Sequence, residues 1–170
     1  MANIALIVGA GSGLSASLAR LFTKEGFSVA LAARQIDKLS ELSDEIGAVS
    51  FAADASKPDQ VEQLFKDVEQ KLGVPTVVVY NPSWRVRGSL VELNPADVAK
   101  TLEITAYGGF LVAQAAAKRQ LAVGGGAIFL QVLPPVLRVI LSLHRLQWVN
   151  LLYGVWLKAL PVNWLLRIST

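Results

Sequence analysis

The chain has 170 residues, 53% of them hydrophobic and 17% charged, with a formal net charge of +3. That composition excludes intrinsic disorder, which needs few apolar residues and high net charge. The absence of cysteine excludes a disulfide scaffold, a Cys nucleophile and thiolate metal sites, the single histidine argues against a His-based metal centre, and +3 is too small a charge to argue for a nucleic-acid partner.

The length suffices for one domain with a real core. Residues 3–8 are an apolar run rich in Ile, Leu and Val, read as a fully buried strand. Residues 9–13 form a glycine-rich turn. Residues 14–25 carry Leu14, Leu18, Leu21 and Phe22 at helical spacing and stop at Gly26, a C-cap. Residues 27–33 are a second strand. Residues 36–46 read as a helix with Leu39, Leu42 and Ile46 inward, ended by Gly47; 48–53 are a third strand. Pro58 opens the next helix at its first position, with Val61, Leu64, Phe65 and Val68 as the buried stripe and Gly73 at the end. Residues 76–80 are a fourth strand, Asn94-Pro95 caps one long helix over 96–119, and 127–132 are a fifth strand. Strands alternating with helices of this length specify βαβ units and a doubly wound parallel sheet.

Composition changes after residue 130. All 13 acids precede it, whereas Arg138, Arg145, Lys158 and Arg167 follow with no acid among them. Trp148, Trp156, Trp164 and His144 also fall there. The expected organisation is therefore a doubly wound domain over 1–132 and an apolar, basic, helical tail over 133–170. Residues 4–10 are apolar, but no basic segment precedes them and no cleavage site follows. The longest uncharged run of the tail, 146–157, is shorter than the roughly 20 residues of a membrane span. A cytoplasmic location is the expectation.

The turn Gly9-Ala10-Gly11-Ser12-Gly13-Leu14-Ser15 lies between the first strand and the first helix. Glycines there let a backbone approach a pyrophosphate, and the helix N-terminus offers free N–H groups and a positive dipole end. A tight turn without a ligand is the alternative. The second strand ends at Arg34, where an acid would bind a ribose 2′-hydroxyl and an Arg accommodates a 2′-phosphate. No acid occurs until Asp37, so NADP is favoured over NAD; a solvated Arg at a helix start is the plainer reading. Asp54 follows the third strand, either beside an adenine or as a turn or N-cap residue.

These residues resemble the short-chain dehydrogenase/reductase family. Its T-G-x-x-x-G-x-G motif is matched at Gly9 and Gly13, with Val8 in place of Thr and Ser15 in place of the last Gly. The resemblance implies a Rossmann-like α/β fold, a doubly wound parallel sheet of strand order 3-2-1-4-5. It also implies that Ser12 and Arg34 meet a 2′-phosphate, Asp54 the adenine and Asn81 the adenine ribose region. Asn81 opens Asn-Pro-Ser here, where the family has Asn-Ala-Gly, and Thr105 falls where the family places a catalytic-network Asn. The expected cofactor set is Gly9, Gly11, Ser12, Gly13, Leu14, Arg34, Asp54 and Asn81, with NADP(H) as ligand and no metal.

The family transfers protons through a Tyr-x-x-x-Lys pair on one helix face. Here Tyr80 is followed by Trp84, Tyr107 by Leu111 and Tyr153 by Leu157, so the sequence holds no such pair. No catalytic residue is assigned, and the fold is expected to be truncated. One origin for the tail is a one-base slip of reading frame near Leu130. Trp has a single codon, so Trp148-Val149 must encode Gly in the other frame, and residues 151–167 permit an alanine-rich amphipathic helix there. In that frame Arg145-Leu146 cannot yield a Tyr codon, and Phe would stand at the Tyr position. The other reading is a proline-bounded helix over 136–160 that covers the sheet edge, pairs two chains, or lies in a membrane interface. The sequence thus points to an NADP-preferring protein of oxidoreductase descent, with a small carbonyl or alcohol substrate if it turns over. The alternatives are a cofactor-binding or dimerising module without turnover, and a protein anchored peripherally by its tail. Arg85 and Arg87 either favour an anionic substrate group or are a solvated loop pair.

Overall fold

The computed structural model describes residues 3–89 and 91–131. Val132 and the expected tail over 133–170, with every reading attached to it, lie outside the described residues.

Five strands form one parallel sheet: β1 (Ile4–Val8), β2 (Ser28–Ala33), β3 (Val49–Ala52), β4 (Val77–Tyr80) and β5 (Ala127–Leu130). Their spatial order is β3-β2-β1-β4-β5, the expected doubly wound arrangement. β1 is buried along its whole length because helices cover both faces of the sheet. Alternate side chains feed two cores. Leu6, Val8, Ala30, Val78 and Tyr80 pack on one face against α3 (Pro58–Lys71) and α5 (Gly108–Ala122). Ile7, Val29, Leu31 and Val79 pack on the other against α1 (Leu14–Lys24) and α2 (Ser40–Ile46). The stripe Val61, Leu64, Phe65 and Val68 is buried as expected. Arg119 ties α5 to α3 through ion pairs of 2.8 Å to Glu62 and 2.9 Å to Glu69, above the Phe65 ring.

Three expectations need correction. The inward face of α1 is Ser15, Ala16 and Ala19, with Leu18 and Phe22 partly buried. Leu14 and Leu21 are exposed, at 51% and 40%. The small residues of α1 face the sheet, and the two larger leucines turn to solvent. The helix expected over 36–46 begins as a single 3₁₀ turn, Ile36–Leu39, before α2. The long helix expected over 96–119 is α4 (Pro95–Leu102), then a π-helical turn Glu103–Tyr107, then α5. Its start is the expected cap: Asn94 Oδ1 accepts from the Ala96 N–H at 2.9 Å, with Pro95 at the first helical position.

The π turn has identifiable causes. The Tyr80 hydroxyl donates to the Ile104 carbonyl and so competes for a helix acceptor. Gly108 and Gly109, weak helix formers, follow directly. Gly108 itself is required by close approach. A Cβ there would lie 2.5 Å from the Tyr80 hydroxyl and 2.9 Å from the Ala55 carbonyl oxygen, so α5 can reach β4 only with glycine at this position.

Candidate functional site

The register brings the site together. Val8 lies opposite both Ala32 and Tyr80, so the chain leaves β1, β2 and β4 at one level of the sheet. Gly9, Arg34 and Asn81 therefore emerge side by side. Between β1 and β4 the strand order reverses direction, and such a switch point opens a crevice at the carboxyl ends of the strands. A cleft of about 870 Å³ occupies that place.

The turn after β1 is held from three sides. The N–H groups of Gly9 and Ala10 both donate to the Ala32 carbonyl, at 2.9 and 3.0 Å. The Asn81 N–H donates to the Val8 carbonyl at 2.9 Å. Ser15, buried at the start of α1, donates its hydroxyl to the Gly9 carbonyl at 3.1 Å and accepts from Asn81 Nδ2 at 2.8 Å. Gly9 has φ +78°, and a Cβ on it would lie 2.6 Å from the Pro82 ring. Gly11 differs: its φ is not in the positive region, and a Cβ on it would meet nothing within 4 Å. A Cβ on Gly13 would likewise meet nothing. Nothing in the packing of the described residues accounts for Gly11, and the space above it is open.

Of the expected cofactor residues, Gly9, Gly11, Ser12, Arg34, Asp54 and Asn81 line the cleft together. Gly13 and Leu14 do not; Gly13 precedes α1 and Leu14 turns to solvent. Gln35, Lys38, Ser56, Trp84 and Ile104 also line it, and none of these five was singled out from the sequence. Gln35 and Lys38 were legible in principle as polar residues within one turn of the end of β2. Trp84 carries the Lys100 ammonium 4.5 Å from its ring centroid, a pairing of a loop with α4 that no local pattern announces.

Asp54 is the one carboxylate of the cleft. Its Oδ1 accepts from the Ser56 N–H at 3.0 Å and the Ser56 hydroxyl at 2.8 Å. Burial by itself would raise its pKa; the two Ser56 hydrogen bonds, with Arg34 and Lys57 nearby, outweigh that and hold the carboxyl below its ordinary range. It is thus an anion at neutral pH, with Ser56 positioning one oxygen. Tyr80, at the cleft floor, is pushed the other way. Burial first, and the Asp54 charge second, raise its pKa above the usual phenol value. It stays a phenol whose proton is committed to the Ile104 carbonyl. Thr105 is buried in the π turn, with Oγ1 accepting from the Trp84 N–H at 3.4 Å, and does not line the cleft. Tyr107 is exposed and outside it. Among the described residues no cluster of His, Cys, Asp or Glu could hold a metal ion, and no helix is long and apolar enough to cross a membrane.

The fold and cleft define a doubly wound α/β protein of the Rossmann type, with a crevice at its switch point. Residues 9–134 match the family model described as enoyl-(acyl carrier protein) reductase. The chain belongs to the short-chain dehydrogenase/reductase family, and so to a family of oxidoreductases. It is 34% identical over 113 residues to an uncharacterized oxidoreductase of Caenorhabditis elegans, covering 62% of this chain and 36% of that protein. It is 24% identical to the human 3-oxoacyl-[acyl-carrier-protein] reductase, covering 75% of this chain and 55% of that one. Among solved structures it is similar to a short-chain dehydrogenase/reductase of Mycobacterium marinum. The TM-score is 0.72 and the identity 30%, covering 74% of this chain and 53% of that one. It is also similar to a gluconate 5-dehydrogenase of Burkholderia cenocepacia solved with NADP and tartrate. There the TM-score is 0.68 and the identity 27%, covering 74% of this chain and 51% of that one. The chain spans about half the length of these solved relatives, and 36% and 55% of the two curated ones.

Proposed function

We propose that the cleft binds a dinucleotide of the NAD(P) type, with NADP(H) preferred. The pyrophosphate lies over Gly9, Gly11 and Ser12 at the N-terminus of α1, where Gly13 and Leu14 contribute backbone rather than side chain. The adenine lies toward Asp54, and the 2′-phosphate meets Arg34. Asn81 lines the cleft toward the adenine ribose region and, through one N–H of its side-chain amide donated to Ser15, also holds the turn. The single observation that carries this reading is Gly11, a glycine with open space above it and no conformational or packing reason of its own. The similar gluconate 5-dehydrogenase solved with NADP supports the ligand class.

Arg34 supports the preference. It lines the cleft directly after β2, and no acid of that strand end lines it with Arg34. An Arg34→Asp variant is expected to weaken NADPH by about a hundredfold or more, through loss of a charge-assisted contact and gain of a repulsive one, while NADH changes by less than about tenfold. Paired fluorescence titrations read both. Equal losses for the two dinucleotides would overturn the NADP assignment.

The sequence carries no Tyr-x-x-x-Lys, and the one tyrosine lining the cleft, Tyr80, has its proton held by a main-chain carbonyl. On this reading the cleft holds a dinucleotide, and hydride transfer by this chain is doubtful. NADPH is expected to remain unoxidised with a panel of small carbonyl substrates; steady absorbance loss at 340 nm above the substrate-free rate is the contrary result. A cytoplasmic location belongs to this reading, and so does pairing with a second copy, which fits Val98 and Leu102 exposed one helical turn apart on α4.

A further inference from the structure

The two sides of the cleft differ in chemistry. Sheet order puts β2 and β3 on one side of the turn after β1, and β4 on the other. Arg34 and Asp54 line the first side; Pro82, Ser83 and Trp84 line the second. Trp84 is the one exposed aromatic ring of the cleft, since Tyr80 is fully buried. Two contacts fix its setting. Its main-chain N–H donates to Thr105 Oγ1 at 3.4 Å, and Lys100 of α4 holds its ammonium 4.5 Å from the indole centroid. Lys100 itself does not line the cleft. The ammonium therefore backs the ring from the side away from the cleft, and the opposite face is left to a ligand. That charge is not neutralised locally. Among the described residues no carboxylate comes within 4.0 Å of it, and Glu103, three residues on, is paired with Lys57 at 2.9 Å.

We infer that Trp84, backed by Lys100, is the stacking platform for the ring at the non-adenine end of the dinucleotide, and that the pair selects the reduced, uncharged nicotinamide over the oxidised, cationic one. This rests on the reading of the cleft as a dinucleotide site. With the adenosine toward Arg34 and Asp54 and the pyrophosphate over the β1 turn, the second nucleoside runs past Asn81 onto the β4 side, where Trp84 stands. An indole face attracts a cation through its negative potential. On Trp84 the Lys100 ammonium already draws on that potential from behind, and its own charge repels a second cation across the ring. A neutral dihydronicotinamide keeps the stacking contact without that repulsion.

The test is a calorimetric titration of the full chain with NADPH, NADP⁺ and 2′-phospho-ADP-ribose, which lacks the nicotinamide. The parent is expected to bind NADPH about fivefold more tightly than NADP⁺. Lys100→Gln should bring that ratio below about twofold and leave 2′-phospho-ADP-ribose within about twofold of the parent. Trp84→Ala should weaken NADPH by about tenfold without weakening 2′-phospho-ADP-ribose, and Trp84→Phe should restore most of the loss. A merely structural Lys100 or Trp84 would move all three ligands together. That result, a parent that binds both redox forms equally, or a preference that persists in Lys100→Gln overturns the inference and leaves the cleft reading standing. A folded parent that binds none of the three removes the cleft reading, and the role of Trp84 and Lys100 with it.

Discussion

A Gly11→Val variant is expected to melt within a degree or two of the parent and to bind NADPH and NADH about a hundredfold more weakly. The two halves of that result have separate causes. The side chain would enter open space: a Cβ at Gly11 meets nothing within 4 Å, and the backbone there is not in the positive-φ region. The folded protein therefore has little to lose. A pyrophosphate laid on the turn needs that same space, because its oxygens must come within hydrogen-bonding distance of main-chain N–H groups. About 3 kcal/mol of lost contact corresponds to roughly a hundredfold in affinity. Thermal melting and dinucleotide titration measure the two separately. A variant that melts early while binding normally would reverse the assignment.

Gly9→Ala is expected to act through the fold instead, lowering stability by about 3 kcal/mol and Tm by about 10 °C. Two effects add. The residue sits at φ +78°, where an L side chain is strained by roughly 1–2 kcal/mol. Its Cβ would also lie 2.6 Å from the ring and the backbone nitrogen of Pro82, and a main-chain atom at the end of β4 cannot step aside. Gly26→Ala separates the terms. Gly26 has φ +81° with nothing near a Cβ, so it should show the conformational penalty alone, about 1 kcal/mol. Equal losses for the two variants would mean that Pro82 yields, and that the close packing of the turn on β4 contributes nothing.

Most of this fold is legible in the chain because its signals are local and agree with one another. The apolar run of β1 sits directly before a glycine turn. The stripe Val61, Leu64, Phe65 and Val68 follows an N1 proline. Gly26 and Gly47 stand at the helix ends, where positive φ is required. Arg34 and Asp54 could be placed because they follow strand ends, and strand ends meet at the switch point of a doubly wound sheet. The misses arise where tertiary contacts override a local pattern. Leu14 and Leu21 fit a helical stripe, yet α1 presents Ser15, Ala16 and Ala19 inward, with the Ser15 hydroxyl bonded to the Gly9 carbonyl and to Asn81. A single helix over 96–119 is the natural reading of its composition. The π turn within it depends on a hydroxyl from β4, more than twenty residues earlier in the chain. Ser15 read as a lost glycine, and it is instead the junction between the turn and Asn81. Lys38 escaped notice because its direction is set by the burial of Leu39, a contact no spacing rule contains.

The most direct test of the account is a titration of the purified full chain with NADPH and NADH, followed by fluorescence, with Trp84 at the rim of the cleft as an internal reporter. Saturable binding of both, tighter for NADPH and weakened by raised salt, is the predicted result. No affinity for either dinucleotide, in protein shown to be folded by its melting transition, would contradict it.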